Sequence, residues 1–211
     1  MKSALRFHGV TAAQLRATCA AFCKEHELGA GSLRAVVDGL FATEWFDLRS
    51  VGIDLIHRRR ALLVPRDAAW LIALVRASAC WAHVDTLASQ AIDPLIAAHP
   101  ALLPRVRAWA KDGDFWVRRT ALLAQLRALR TGGGDFALFA EIAAPMLDEK
   151  EFFIRKAIGW VLREVSKKRP ALVRDFLLVH GQRASGLTTR EATKYLPAGM
   201  RRQLRAVEQG R

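Results

Sequence analysis

The chain has 211 residues, 52% of them apolar, and is sparse in Gly and Pro, so it can bury a core of ordinary size and has little room for long disorder. Lys and Arg outnumber Asp and Glu 33 to 20, and the net charge of +13 favours anionic partners, nucleic acid first and anionic lipid surfaces second. No long charge-free apolar run marks a membrane span, and the start Met1-Lys2-Ser3-Ala4-Leu5-Arg6 lacks the apolar stretch of a secretory signal; the expectation is one folded domain over residues 1–211, in the cytoplasm and with no membrane.

In chain order, Thr11 followed three residues later by Gln14 has the form of a capping box, and apolar positions then recur at helical spacing towards Glu27. Within that helix Cys19, Cys23 and His26 share a face. They form a metal-compatible set without a fourth ligand nearby, so the expectation is no metal and buried thiols, and with Cys80 the odd count fits a reducing compartment. A second helix runs from Leu33 to Phe41, and a third from about Glu44 to His57 ends in the basic run Arg58-Arg59-Arg60. Pro65 suits the first turn of a fourth, reaching about Ala77. Trp81 opens a fifth, which Pro94 must bend or end because its ring removes an internal hydrogen bond. Helices over Leu103–Ala110 and Phe115–Arg130 follow, the latter stopped by Gly132-Gly133-Gly134. Phe136–Leu147, Glu151–Lys167, Ala171–Val179 and Arg190–Leu196 complete the set, and no alternating strand pattern survives beside them.

An aromatic residue, a charged residue four places on and then a small one recur at Trp45/Arg49/Ser50, Trp81/Asp85/Thr86, Phe115/Arg119/Thr120 and Phe152/Lys156/Ala157. The charged positions lie 36, 34 and 37 residues apart, the period of helix-pair repeats such as HEAT, armadillo and tetratricopeptide units. The predicted fold is therefore all-α: a HEAT-like helical repeat solenoid of about five to six antiparallel helix pairs, forming a curved right-handed arch with a basic concave groove. Such a groove suits nucleic acid, because cations hold phosphates while aromatic faces pack on sugars or bases. Asp85 is the one acid in a row of bases. An acid weakens polyanion binding locally, so Asp85 is the candidate for a chemical task.

The segments Trp81-Ala-His-Val-Asp85, Phe115-Trp-Val-Arg-Arg-Thr-Ala-Leu-Leu-Ala-Gln125, Glu151-Phe-Phe-Ile-Arg-Lys-Ala-Ile-Gly-Trp160-Val-Leu-Arg-Glu164 and Arg190-Glu-Ala-Thr-Lys194 resemble, in order and spacing, the AlkD family of alkylpurine DNA glycosylases, from about Phe7 to Leu196. The Phe-Phe-Ile-x-Lys-Ala-Ile-Gly-Trp block is the specific part of that resemblance. It implies a HEAT-like-repeat DNA repair enzyme that excises N3- and N7-alkylated purines from duplex DNA without metal, cofactor or a flipped base, leaving an abasic site. It also places Asp85 on the family's catalytic carboxylate, Trp81 and Trp160 on the aromatic residues beside it, and Arg119 on an active-site arginine. The family carries more chain ahead of the segment matching Phe7, including an aromatic residue that helps enclose DNA; the expectation is a start further upstream or a shortened clamp.

The chemistry agrees with those roles. An alkylated purine is already cationic and leaves readily, so what needs stabilising is the oxocarbenium-like sugar, and an ionised carboxylate near C1′ does that and orients water. Trp81, one helical turn from Asp85, and Trp160 offer electron-rich faces to a cation. Arg119 is expected as a phosphate clamp, with Arg49, Arg118, Lys156 and Arg163 as weaker candidates for backbone contacts. Trp45, Trp70 and Trp109 read as core, His83 as a surface or packing residue turned from the Asp85 face, Arg163-Glu164 and Arg190-Glu191 as ion pairs, and the Arg58–Arg60 and Lys167–Arg169 runs as solvated helix ends. Alternatives are a non-catalytic repeat protein binding distorted or branched DNA, a protein-interaction scaffold, and a lyase using Lys156 as a Schiff base. The expected state is a monomer without an obligate protein partner.

Overall fold

The computed structural model describes residues 4–78 and 80–209; residues 1–3, part of the segment inspected for a signal sequence, lie outside them. Regular structure in the described residues is helical, apart from one isolated β-bridge between Arg6 and Trp45. No described helix is long and apolar enough to cross a membrane. The all-α, helical-repeat class read from the sequence is the class observed. Contacts divide the chain into two compact units that meet in sequence between Leu102 and Leu103.

The N-terminal unit contains α1 (Ala12–Glu25), α2 (Ala30–Phe41), α3 (Phe46–Arg58), α4 (Ala68–Ser78), α5 (Trp81–Leu87) and α6 (Asp93–Ala98). The capping box at Thr11 forms: its hydroxyl accepts the Gln14 amide at 3.3 Å while Gln14 Oε1 accepts the Thr11 amide at 3.0 Å. Pro65 lies in a 3-10 turn, Pro65–Asp67, that leads directly into α4. The core sets Leu33, Val37 and Phe41 of α2 against Ile53 and Ile56 of α3, with Leu71 and Val75 of α4 and Val84 and Leu87 of α5 also buried. Pro94 neither bends nor ends the fifth helix in the simple way expected. The α-helical register stops at Leu87, a π-helical turn occupies Ala88–Ile92, and α6 restarts at Asp93 with Pro94 in its first turn, where the missing N–H is not needed. The wide turn changes the phase of the helix, so α5 and α6 each keep a buried face, through Val84 and Leu87 and through Leu95 and Ile96.

The C-terminal unit contains α7 (Leu103–Trp109), α8 (Phe115–Leu123), α9 (Leu126–Arg130), α10 (Phe136–Ala143), α11 (Phe152–Ser166), α12 (Pro170–His180), α13 (Gly186–Ala192) and α14 (Ala198–Gln209). The single helix expected over Phe115–Arg130 is two, broken at Ala124 and Gln125. Val117, Ala121, Leu122, Leu126 and Leu129 are all buried, too broad a set for one straight face, and the break re-aims it. Gly132 and Gly134 take φ of +92° and +70°, the left-handed region in which a side chain is strained, and so end α9. Pro145 turns the end of α10 into a 3-10 segment, Ala144–Asp148. The last predicted helix starts one turn earlier, because Ser185 caps it by accepting the Thr188 amide at 3.1 Å. Helix α14 was not foreseen: it is polar and basic, and of its residues through Ala206 only Leu204 is buried.

Helix α11 is the hub of this unit, packing on α8, α9, α12 and α13. The glycine of its specific block has a physical reason. A Cβ on Gly159 would stand 2.7 Å from Glu191 Cβ and 3.0 Å from the Thr188 carbonyl oxygen, so only glycine lets α13 approach this closely.

Candidate functional site

In the N-terminal unit, α5 carries Trp81 and Asp85 one turn apart and therefore on one face. Trp81 is 43% exposed, a large aromatic surface left outside the core, and Asp85 is half-buried. The π-helical turn begins three residues after Asp85, whose carbonyl accepts the Ser89 hydroxyl at 2.7 Å. Turns of this kind are frequent at functional sites because they re-aim neighbouring side chains.

His83 lies on the inner side of the same helix, 2% exposed and stacked on Phe46 with ring centroids 4.2 Å apart. Ser50 Oγ donates to the Phe46 carbonyl at 2.9 Å, so its oxygen is left to accept from His83 Nε2–H at 2.8 Å. That network assigns the proton to Nε2. Burial, and then the nearby Arg49 charge, push the imidazole down to about 4, so His83 is neutral near pH 7.

The cations in the repeated position have a use the sequence did not disclose. Arg49 Nε donates to the Thr43 carbonyl at 2.8 Å and its Nη1 to the Ala77 carbonyl at 2.7 Å, which ties α3 to the end of α4. Arg119, expected at a phosphate, is 3% exposed, donates to the Phe153 carbonyl and lies 5.9 Å from that ring's centroid, tying α8 to α11. Lys156 is ion-paired to Glu191, tying α11 to α13. These partners lie 28, 34 and 35 residues away, close to one repeat, so each of the three cations in the row ties its own helix to an acceptor about one repeat further on within its unit. Asp85 is the carboxylate in that row.

Other expected backbone contacts are engaged in the same manner. Arg118 forms a bidentate pair with Glu149, at 3.0 and 2.7 Å, and donates to the carbonyls of Asp112 and Gly113. Arg163 pairs with Glu191 and lies 3.7 Å from Glu164. Glu191 was expected to pair with Arg190; its described ion pairs are with Lys156 and Arg163. Those two cations stand at i−4 and i+3 from Trp160, so all three share a face of α11 with the half-buried indole between them. The Lys156 hydrogen bond first, and the neighbouring positive charges next, hold the Glu191 carboxyl below its ordinary value. The Arg58–Arg60 run is likewise not simply a solvated end. Arg58 pairs with Asp54 at 2.5 Å and donates to the Arg16 carbonyl at 2.9 Å, and Arg59 donates to the Cys23 carbonyl at 2.9 Å, so the run holds α1. In the second run Lys167 pairs with Glu164 at 2.9 Å, and Arg169 donates to the Gly133 carbonyl.

Of the tryptophans read as core, Trp70 is buried and donates to Asp38 at 2.7 Å, while Trp45 is half-buried and stacks on His8 at 3.7 Å. Cys19 is buried, and burial first, with Asp54 next, pushes its thiol up to about 12, which makes it an inert packing group at neutral pH. Sequence reasoning paired Glu191 with its neighbour Arg190 and missed Lys156, although a signal existed: Glu191 lies one repeat after Lys156. It also passed over Tyr195, 51% exposed with Lys167 and Lys194 at 5.0 and 5.7 Å from its ring centroid.

The family described as DNA alkylation repair enzyme matches residues 1–196. Among solved structures, a predicted DNA alkylation repair enzyme from Enterococcus faecalis is similar at a TM-score of 0.83 and 28% identity, over 92% of this chain and 90% of that one. Two Streptococcus mutans proteins share the fold at lower identity. The smu.31 protein of strain UA159 has a TM-score of 0.66 and 18% identity over 88% of this chain and 92% of its own, and AlkD2 has 0.66 and 16% over 90% and 92%. No curated protein matches. With an all-helical repeat fold and a family match over nearly its whole length, this chain belongs to the DNA alkylation repair enzyme family.

Proposed function

We propose that this protein is a monofunctional alkylpurine DNA glycosylase, hydrolysing the N-glycosidic bond of cationic N3- and N7-alkylated purines in duplex DNA and leaving an abasic site. The observation that carries this reading is the Trp81–Asp85 pair: an exposed indole one turn from a carboxylate, in a DNA alkylation repair family member of net charge +13.

The C1′–N bond breaks with its electron pair passing to the cationic purine, which leaves neutral and needs no general acid. Positive charge develops on C1′ and the ring oxygen, and the Asp85 carboxylate stabilises it electrostatically. A water oriented by the same carboxylate attacks C1′ and yields its proton to Asp85 or solvent. Trp81 and Trp160 present π faces to the cationic base or sugar. Arg119 acts through position, by fixing α8 against the helix that carries Trp160. Among the backbone-contact candidates, Lys156 uses one of its three donors on Glu191 and retains two for a phosphate, with Arg49, Arg118 and Arg163 contributing mainly positive potential.

The same pair supports hydrolysis over lyase chemistry. An amine engaged as an ammonium donor to Glu191 has no lone pair with which to form a Schiff base. Single-turnover incubation with a duplex holding one N7-methylguanine tests the reading. It predicts free base and an abasic strand with no borohydride-trapped complex, and loss of release with DNA binding kept in Asp85→Asn. Tight binding without release by the wild type would favour the non-catalytic alternative.

A further inference from the structure

The cations of the C-terminal unit divide into two sets. Arg118, Arg119 and Arg163 are engaged with carbonyls or carboxylates of the fold, and Lys156 shares its charge with Glu191. Arg201, Arg202 and Arg205 of α14 are exposed, and none of the three guanidiniums has an ion pair or hydrogen bond among the described residues. The helix lies beyond residues 1–196, which match the family, and the glycosylase reading gives it no task.

The arginines burden the helix that carries them. Arg201 and Arg205 are one turn apart and Arg202 and Arg205 three residues apart, so like charges meet on one side and repel. Arg201 stands in a first turn that holds no acid, where the helix dipole disfavours a cation. The inward side is narrow: Leu204 is buried, Met200 is half-buried, and α14 packs on α12. Just upstream, Lys194 adds another exposed cation, 5.7 Å from the centroid of the Tyr195 ring. A polyanion relieves the repulsion and supplies the acceptors that the guanidiniums lack, since each can form paired hydrogen bonds to a phosphate. A lipid surface fits less well, because an interfacial helix needs a free apolar face, and the apolar side of α14 is turned into the protein.

We infer that α14 is an accessory contact for the phosphate backbone of duplex DNA, which Arg201, Arg202 and Arg205 hold without regard to base sequence. The contact stands on the unpartnered, mutually repelling charges; the choice of duplex DNA rests on the proposed function. Backbone contacts of this kind let a protein stay on undamaged DNA and move along it. Helix α14 then keeps the enzyme on the duplex between lesions, and the chemistry is left to Asp85.

Fluorescence anisotropy of the full chain with an undamaged duplex, at salt between about 50 and 200 mM, tests this. In the triple variant Arg201→Gln, Arg202→Gln, Arg205→Gln the slope of log affinity against log salt should become shallower by up to about 2.7, and low-salt affinity should fall by at least about tenfold. Melting should come no lower than in wild type, because repulsion is relieved. The same charge removed at exposed Arg66, Arg105 and Lys111 should leave the slope unchanged. Single-turnover base release at saturating protein should also stay as in wild type. An unchanged slope in the α14 variant, an equal change in both variants, or a lowered melting temperature would overturn the proposal. So would loss of binding to phosphatidylserine vesicles with DNA affinity kept, which would assign the helix to a lipid surface. Base release with an unaltered slope would sink the α14 contact and leave the glycosylase reading standing; a shallower slope in a protein that releases no base would do the reverse.

Discussion

Glu191→Gln keeps the length of a side chain that sits between Lys156 and Arg163 and removes its charge. The three side chains are 16%, 38% and 22% exposed, between the surface case, where a pair contributes up to about 1 kcal/mol, and the fully buried one, where losing a partner costs about 3–5 kcal/mol. About 2 kcal/mol is the appropriate scale, which for a chain of this size lowers Tm by about 4–8 °C. The Glu191 carboxyl is depressed in the folded state, so its contribution is complete above the ordinary carboxylate value of 4.5 and is lost as pH falls through the lowered folded value. The gap in Tm between wild type and variant should be constant at neutral pH and close below about pH 4.5. A purely structural residue would do no more than this. If Glu191 also sets the cations that flank Trp160, two further changes follow. Freed of their counter-charge, Lys156 and Arg163 turn to phosphates, and the slope of log affinity against log salt steepens by up to about 1.8. Excision falls by about 10–100-fold, because a misplacement of about 1 Å at a reacting centre costs that much. Differential scanning calorimetry, fluorescence anisotropy at several salt concentrations and single-turnover base release read the three effects. A lowered Tm with wild-type excision and salt slope would refute the positioning role, and an unchanged Tm at pH 7 would refute the ion network.

Gly159→Ala forces a methyl group against Glu191 Cβ and the Thr188 carbonyl at 2.7 and 3.0 Å, and should cost about 2 kcal/mol by overpacking, seen as a fall of about 4–8 °C in Tm; a loss below about 1 °C would mean that α13 moves aside freely. His83 is neutral when folded, with its value lowered from 6.5 to about 4, so its contribution is present above pH 6.5 and is lost progressively as pH falls through about 4. The full effect is about 3 kcal/mol. In His83→Phe the Tm should therefore fall less steeply than in wild type between pH 6.5 and 4, and identical pH profiles would show that His83 is not buried as a neutral group.

The helices were legible wherever a cap or an apolar stripe marked them. The Thr11 capping box and the Trp81 start came out in place, because each depends on residues within one turn. Helix α14 was passed over although Met200, Leu204 and Val207 recur at helical spacing, because the stripe is narrow and every other side chain around it is polar, charged or small. The π-helical turn was illegible because Pro94 announces only that a hydrogen bond is missing, and several backbones can omit it. At the candidate site, the repeat period revealed that Arg49, Asp85, Arg119 and Lys156 are equivalent, and helical spacing revealed that Trp81 and Asp85 share a face. Where the cations point did not follow. A guanidinium is equally suited to a phosphate and to a carbonyl of the next repeat, and the deciding acceptors, Ala77, Phe153 and Glu191, lie about one repeat away, beyond the reach of local pattern.

The central claim is that the Asp85 carboxylate drives base release. Its most direct test is the rate at which free N7-methylguanine leaves a duplex carrying a single lesion, measured for wild type, Asp85→Asn and Asp85→Ala beside the spontaneous rate. The account predicts release by the wild type well above the spontaneous rate, falling by at least about 100-fold in both variants while DNA affinity is kept. Wild-type release no faster than buffer, or full release by Asp85→Ala, would contradict it.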